Sequence, residues 1–326
     1  MKKRVFSALM AAALTASMVF GTVAASAEEK SNEDITIGIS MCAIESQMWA
    51  EYQSTMHATC DEMGVKYTEA IAENDTQKQN QQIENLISSG ADAIVIAPAD
   101  GEAVVAAIKK CNDAGVPVVM ANRAAGEGAE VVGTVTSDNE AMVQRELEYI
   151  LEKAKEDGTK YKVIKLVGSL TDANAIARDN GFNAVADANP DVFDVVSEVA
   201  TEWKGELALA GILSAFEENP DVNMIFSPSD ALLPSIISGL QQLDKYKKIG
   251  EEGHVTLVTF DGAKDAVDAI KEGYVDVVSV QDATNQAKLC IEAAVAAVKG
   301  EEVESMTDPG FEVTADNVDE LGFEGY

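Results

Sequence analysis

The sequence predicts an α/β protein built from two doubly wound parallel sheets. A chain of 326 residues is long enough for two domains, since a domain averages about 150 residues. Short apolar runs alternate with amphipathic helical stretches from Ile35 onward. About ten such strands are too many for one open sheet of this size. The runs are Ile35–Ser40, Val65–Ala70, Ala93–Ala97, Val116–Ala121, Val131–Val135, Lys162–Val167, Asp194–Ala200, Asn223–Ser227, Val255–Phe260 and Val275–Val280.

The apolar runs have the composition of buried parallel strands. Ala93–Ala97 reads Ala-Ile-Val-Ile-Ala, with no polar residue at alternate positions. Strands covered by helices on both faces show this pattern, whereas strands with one face in water alternate. We therefore expect helices on both sides of each sheet.

The stretches between the strands carry helix start and stop signals. Thr76 and Gln79 have the spacing of a capping box, and apolar residues follow at helical spacing. The same periodicity predicts helices over 103–114 and 208–216. Glycine favours the left-handed backbone that ends many helices. Four glycines stand where helices should end: Gly64, Gly90, Gly115 and Gly273.

The charge of the chain excludes several classes of partner. Fifty-six acidic residues against 24 basic ones give a formal net charge of −32. Nucleic-acid affinity depends on Lys and Arg that neutralise phosphates, so this surface is unsuited to DNA or RNA. The same charge disfavours docking on anionic lipid.

The first 27 residues have the composition of a secretory signal peptide. Lys2, Lys3 and Arg4 precede an apolar stretch over 5–25, and Ala25-Ser26-Ala27 is a small-residue cleavage site. We expect cleavage before Glu28. A membrane anchor is the alternative, but Ser, Thr and Gly interrupt the stretch, and no later stretch approaches the roughly 20 apolar residues of a span. No cysteine follows to carry a lipid, so we expect a periplasmic or extracellular protein without membrane insertion.

The cysteines and histidines do not suggest a zinc site. The four cysteines show no C-x-x-C spacing, and His57 and His254 are the chain's two histidines. Cys60, Cys111 and Cys290 lie in helical register with apolar residues and are expected to be buried, although an exported protein could also form a Cys60–Cys290 disulfide. The fourth is Cys42.

Polar residues at the strand ends indicate a binding protein, not an enzyme. Ligands of doubly wound sheets bind beyond the carboxyl ends of the strands. The residues that leave the predicted strands there are hydrogen-bonding, charged and indole side chains. Neither G-x-G-x-x-G nor G-x-x-x-x-G-K-[ST] occurs, and no nucleophile and base are suitably placed. We therefore expect no cofactor and no catalysis.

Several segments, in collinear order over nearly the whole chain after the signal peptide, resemble one family. They are Ile37-Gly38-Ile39-Ser40, Asn74–Ile83, Gly90–Ile94, Val116–Val119, Val132-Gly133-Thr134, Phe260-Asp261-Gly262 and Asp282–Lys288. The pattern resembles type I periplasmic sugar-binding proteins of the ribose- and glucose/galactose-binding kind. The resemblance implies two Rossmann-like lobes that are joined by three crossovers and close on a ligand for delivery to the membrane subunits of an ABC importer.

The resemblance also implies lobe boundaries and a site. The lobes would be 28–137 plus 283–308, and 138–282 plus 309–326, and we expect a monomer. Ser229 stands where the family usually has Asn, and Asn122 where ribose binders have Asp. Residues 157–160 lack the ligand series of the galactose binder's calcium loop, so no metal is expected. The implied ligand-binding residues are Met48 or Trp49, Asn122, Arg123, Arg178, Trp203, Ser229, Asp261 and Gln281.

The chemistry of these residue types suits a sugar. Carboxylates and guanidinium groups hydrogen-bond hydroxyls strongly, and an indole covers the C–H face of a sugar ring. Trp49 and Trp203, the chain's two tryptophans, both fall at implied cleft positions. Removal of Asp261 should weaken ligand binding with little change in the stability of the unliganded protein.

Two other functions share part of this sequence pattern. A transcriptional regulator of the lac-repressor type would begin with a helix-turn-helix and carry basic charge, where this chain has a signal peptide and an acidic composition. A binding protein that presents its ligand to a membrane sensor kinase would have the same sequence pattern as an importer component. The sequence is compatible with a pentose, a hexose, a cyclitol or a sugar acid as the ligand.

Overall fold

Two six-stranded sheets form two lobes in the computed structural model, which describes residues 30–326. The predicted signal peptide, 1–27, lies outside the described residues. The sheet of the first lobe has the order β11-β5-β4-β3-β1-β2, and that of the second has the order β12-β10-β9-β8-β6-β7. The strands are β1 (Thr36–Met41), β2 (Lys66–Ile71), β3 (Ala93–Ile96), β4 (Val118–Asn122), β5 (Gly133–Ser137), β6 (Tyr161–Val167), β7 (Phe193–Ala200), β8 (Met224–Phe226), β9 (Thr256–Asp261), β10 (Val277–Val280), β11 (Met306–Asp308) and β12 (Phe311–Thr314).

Helices cover both faces of each sheet. In the first lobe α1 and α9 pack on one face, and α2 and α3 on the other. In the second lobe α6, α7 and α8 cover one face, and α4 and α5 the other. The helices are α1 (Gln47–Met63), α2 (Thr76–Ser88), α3 (Val105–Asp113), α4 (Asn139–Asp157), α5 (Ala173–Ala188), α6 (Gly205–Glu218), α7 (Leu233–Gln242), α8 (Lys264–Lys271), α9 (Ala283–Val298) and α10 (Val318–Leu321).

The predicted α/β class with two doubly wound sheets is confirmed. Each predicted apolar run lies on one of β1–β10, and the four glycines expected at helix ends all have positive φ. The strands β11 and β12 lie outside the predicted runs, because they have only three and four residues. β12 pairs antiparallel with β10 and is the exception to the expected parallel pairing.

The predicted capping box at the start of α2 is wrong. The N-cap is Asp75, whose carboxylate accepts a hydrogen bond from the backbone N–H of Lys78 at 2.9 Å. Gln79 is buried instead, and its amide nitrogen donates to the carbonyl of Ala97 at 2.8 Å. Because Asp75 already caps the helix, the Gln79 amide is free to bond the loop that follows β3.

The chain passes between the two sheets three times, and Asp308 connects these passages. They follow β5, β10 and β11. The backbone carbonyl of Asp308 accepts from the N–H of Asp138 at 2.9 Å, and its carboxylate accepts from the N–H of Asp282 at 2.7 Å and of Gly310 at 3.0 Å. Buried Asp308 therefore bonds a residue of every crossover.

One buried carboxyl near the crossovers should make stability depend on pH. Glu146 of α4 is fully buried, and its Oε1 accepts from the backbone N–H of Ser279 at 2.7 Å. Its Oε2 has no hydrogen-bond partner among the described residues. Burial raises the pKa of Glu146 well above its usual value. The folded protein thus keeps a proton that the unfolded chain loses, so this group lowers stability as pH rises above the unfolded value of about 4.3.

Glu146→Gln should therefore be more stabilising at pH 8 than at pH 5. Glutamine matches the neutral acid in shape and keeps the bond to Ser279. We expect a gain at pH 8 on the order of 1–3 kcal/mol, measured by urea unfolding. Glu148→Gln, on the exposed face of α4, is the control and should show no such trend. Equal effects of Glu146→Gln at both pH values would contradict the assignment of a buried neutral acid.

Candidate functional site

The carboxyl ends of the strands of both sheets border a pocket between the lobes. Its volume is about 100 Å³, which is smaller than the roughly 150 Å³ cavity that holds a benzene molecule. A sugar could enter only if side chains that now fill the space move or the lobes separate. We call this space the inner pocket; it is lined by Ala43, Glu45, Ser46, Met48, Trp49, Asn74, Asn122, Arg123, Asn174, Arg178, Trp203, Ser229, Ala231 and Asp261.

Asp261 is the centre of the polar wall on the second lobe. It ends β9 with a φ of 110°, a strained backbone for a residue other than glycine. Its Oδ2 accepts from the Ser229 hydroxyl at 2.6 Å, and its Oδ1 accepts from the Gln281 amide at 2.7 Å and lies 3.2 Å from Nη1 of Arg178. Burial raises the pKa of Asp261, while the guanidinium of Arg178 opposes that shift.

Arg178 is held on several sides before any ligand binds. From α5 its Nε donates to Asn139 Oδ1 at 2.7 Å, and its Nη1 donates to the carbonyl of Pro228 at 2.6 Å. The guanidinium carbon lies 3.7 Å from the ring centre of Phe260. Burial lowers the pKa of Arg178, and the carboxylate of Asp261 counters that effect. Because Arg178 and Asp261 pair in a buried site, loss of Asp261 should destabilise the unliganded protein, contrary to the expectation from sequence.

A second ion pair crosses from one lobe to the other. Arg123, which follows β4 of the first lobe, lies with Nη2 2.8 Å from Oδ2 of Asp172, in the loop between β6 and α5. Burial alone would lower the pKa of Arg123, but the Asp172 carboxylate raises it. The Nε of Arg123 is buried without a hydrogen-bond partner among residues 30–326.

Amide side chains extend this contact between the lobes. Asn122, with a φ of 61° at the end of β4, accepts on its Oδ1 from the Asn174 amide at 2.8 Å. Its Nδ2 donates to Oε1 of Gln281 at 2.9 Å. Gln281 is fully buried and bonds both Asn122 and Asp261, but it does not line the inner pocket.

Apolar and indole side chains form the other walls. Met48 and Trp49, at the start of α1, both line the inner pocket, and the Arg123 guanidinium lies 5.4 Å from the Trp49 ring centre. Trp203 comes from the second lobe, and its indole N–H donates to Asp172 at 3.1 Å. A Cβ at Gly168 would lie 2.3 Å from this indole, so the close approach of backbone and ring requires glycine there.

A model of the periplasmic binding protein domain matches residues 37–302. The chain belongs to the periplasmic binding protein family. Over 272 residues it is 27% identical to the ribose import binding protein of Bacillus subtilis, covering 83% of this chain and 84% of that protein. It is 29% identical to the xylitol-binding protein of Mycolicibacterium smegmatis over 254 residues, 76% and 68% of the two chains. The structure of a Caulobacter myo-inositol binding protein superposes with a TM-score of 0.81 at 19% identity, covering 89% of this chain and 96% of that one.

The resemblance of this periplasmic binding protein to the type I sugar-binding group is thereby confirmed for family and fold. The structure brings eight of the nine implied site residues together around the inner pocket, and places Gln281 behind it. Their role in ligand binding stays a prediction. The eight are Met48, Trp49, Asn122, Arg123, Arg178, Trp203, Ser229 and Asp261.

Five polar residues at the cleft are not among those implied by the sequence: Glu45, Ser46, Asn74, Asp172 and Asn174. Asp172 is the N-cap of α5 and Asn174 lies in its first turn. Both follow a predicted strand, but the sequence does not indicate which side chains after that strand turn inward. Asn74 begins the segment Asn74–Ile83, which resembles the family, and has a φ of 59°. Neighbouring Glu73 has a φ of 57°, and two adjacent left-handed residues are a strained turn that periodicity cannot indicate.

The cysteines and metal-ligating residues form no additional centre in the part of the chain that the structure describes. All four cysteines are buried free thiols, including Cys60 and Cys290. Residues 30–326 contain no group of three or more His, Cys, Asp or Glu side chains placed to hold a metal ion. No helix in the same range is long and apolar enough to cross a membrane.

Proposed function

We propose that this periplasmic binding protein is an exported solute-binding protein that captures a monosaccharide or related polyol between its lobes. It would deliver the ligand to the membrane subunits of an ABC importer. The observation that carries the proposal is the pairing of two arginines with two aspartates, beside indole walls, at the junction of the lobes. Carboxylates accept from hydroxyl groups and guanidinium groups donate to them, while the indoles cover C–H surface.

The charge balance of the site favours a neutral ligand. Arg123 lies against Asp172 and Arg178 against Asp261, so neither guanidinium carries an uncompensated charge. A sugar acid would bring a further negative charge into this buried setting, where an unpaired charge is costly. Among the ligands left open by the sequence, pentoses, hexoses and cyclitols fit better than sugar acids.

The relatives support import of a sugar or polyol. One of the two relatives described above is named a ribose import binding protein, and the other a xylitol-binding protein. The importer function accordingly has support that the sensor alternative lacks. The proposal also includes no catalytic activity, no cofactor, no metal and no binding of nucleic acid.

We further propose that the lobes 28–137 plus 283–308, and 138–282 plus 309–326, move as units about the crossovers. A ligand drives closure only if it binds the closed state better than the open one, and the inner pocket offers side chains from both lobes. Cleavage of the predicted signal peptide would leave the mature protein in the periplasm or outside the cell. It would act there as a monomer without membrane insertion.

A thermal-shift screen over neutral monosaccharides, polyols and uronates tests this function. A ligand at 100 times its Kd stabilises the folded state by about 2.7 kcal/mol, so binding gives a clear rise in Tm. We expect at least one neutral sugar or polyol to do so, and the scattering radius of the protein to fall when it is added. Stabilisation by uronates alone would contradict the neutral-ligand assignment, and no stabilisation by any of the compounds would contradict the function.

Ligand binding should also change the tryptophan fluorescence. Trp49 and Trp203 line the inner pocket from opposite lobes, so closure alters the surroundings of both indoles. Trp203→Phe should remove much of the change measured in a titration with the stabilising sugar. Tyr246→Phe, remote from this pocket in the second lobe, is the control and should leave it intact. A full signal in Trp203→Phe would show that this indole does not report on the ligand.

A further inference from the structure

A second, larger cavity opens directly from the inner pocket. Its volume is about 680 Å³, against about 100 Å³ for the inner pocket. We call it the outer cavity; it lies between the start of α1 and the starts of α7 and α8. The side chains common to both spaces are Glu45, Ser46, Met48, Trp203, Ala231 and Asp261.

The far wall of the outer cavity differs in chemistry from the inner pocket. It is formed by three apolar residues of α7, Leu233, Pro234 and Ile237. Leu233 packs into the core of the second lobe, whereas Pro234 is exposed and Ile237 is half-buried. The inner pocket instead carries arginine, aspartate and amide side chains, beside Met48 and the two indoles. A molecule that spans both spaces would be polar at one end and apolar at the other.

The charges around the outer cavity exclude an anionic group. None of its lining residues is Lys or Arg, and four are acidic: Glu45, Asp230, Asp261 and Asp265. Asp261 is paired with Arg178 at 3.2 Å. Asp230 is satisfied internally by the hydroxyl of Thr259 and the backbone N–H groups of Gly262 and Ala263 at 2.7–2.9 Å. Glu45 and Asp265 are exposed and give the rim a negative charge. A phosphate or carboxylate would be repelled there.

We propose that the outer cavity is a second subsite, which binds an uncharged apolar group attached to the sugar in the inner pocket. The physiological ligand would then be a glycoside with an apolar aglycone, captured in preference to the free sugar. Trp203 lies on the boundary of the two spaces and contacts both parts of such a ligand. This inference rests on the proposed sugar-binding function of the inner pocket.

Affinity measurements on paired ligands test the subsite. Ribose, xylose, galactose and allose are titrated calorimetrically into the protein alongside their α- and β-4-nitrophenyl glycosides and their terminal phosphates. For the sugar that binds, we expect one nitrophenyl anomer to bind at least tenfold more tightly, because a buried aromatic ring removes apolar surface from water. The phosphate should bind more weakly than the free sugar.

Two variants locate the effect. Pro234→Asp and Ile237→Thr change residues that line the outer cavity and not the inner pocket. Both should reduce the glycoside's advantage while leaving the free sugar's Kd within twofold. An aspartate at position 234 is compatible with the first turn of α7, where negative charge is favoured. Ile249→Thr removes an exposed apolar side chain remote from the cleft and is the matched control.

The outcomes separate this inference from the proposed function. A free sugar that binds while its nitrophenyl glycosides bind no better would overturn the subsite and leave the function standing. A glycoside advantage that survives both α7 variants would also overturn it. No binding by any sugar, polyol or glycoside would overturn both.

Discussion

Asp261→Asn should weaken sugar binding by roughly tenfold to 150-fold, since a hydrogen bond to a charged group contributes about 1.5–3 kcal/mol. Asparagine preserves the shape of Asp261 and, like aspartate, is enriched at positive φ, which is 110° here. It removes the charge that lies 3.2 Å from Arg178. Because Arg178 is then a buried charge without a carboxylate partner, the free energy of unfolding should also fall by about 3–5 kcal/mol.

The double variant Arg178→Met with Asp261→Asn separates binding from folding. It removes both charges, so much of the stability lost in Asp261→Asn should return, because an uncharged pair avoids the desolvation of two ions. Sugar affinity should not return, since both hydrogen-bonding groups are changed. Calorimetric titration and urea unfolding of the two variants measure these effects. Recovery of binding in the double variant would show that Asp261 acts only through the fold.

Asp172→Asn should loosen the contact between the lobes. The carboxylate of Asp172 pairs with Arg123 at 2.8 Å and accepts from the Trp203 indole at 3.1 Å. Breaking a buried ion pair costs about 3–5 kcal/mol, and here the two partners belong to different lobes. We therefore expect lower stability together with a larger scattering radius of the unliganded protein.

The control for Asp172→Asn is a surface pair of similar length. Lys264 and Asp268, one turn apart on α8, lie 2.8 Å from each other and are half exposed. Exposed pairs contribute about 1 kcal/mol or less, so Asp268→Asn should change neither stability nor scattering radius by much. If Asp172→Asn behaved like this control, the Arg123–Asp172 pair would have no role in holding the lobes together.

The positions of the site residues could be predicted where a strand end fixes them. Asn122 and Asp261 are the last residues of β4 and β9, and parallel strands bring their carboxyl ends to one edge. Asp172 is different, because it lies five residues beyond β6 in a loop. Which of several polar loop residues turns inward depends on the opposite lobe, here on Arg123, and sequence pattern carries no information about that contact.

Side-chain roles were harder to predict than secondary structure. The spacing of Thr76 and Gln79 fits a capping box, yet Asp75 caps α2 and Gln79 bonds a loop. Gln281 fits the family's ligand position, yet it bonds Asn122 and Asp261 from behind the pocket. In both cases a buried amide side chain hydrogen-bonds residues that are distant in sequence, and local sequence pattern cannot predict those partners.

Calorimetric titration of two arginine variants tests most directly whether a sugar is held between the lobes. Arg123→Met alters the first lobe's contribution and Arg178→Met the second's, while all other lining residues stay. With the sugar that stabilises the wild type most, we expect one site per chain in the wild type and at least a tenfold loss of affinity in each variant. Wild-type affinity in either variant would mean that the ligand contacts one lobe only, and would contradict capture between them.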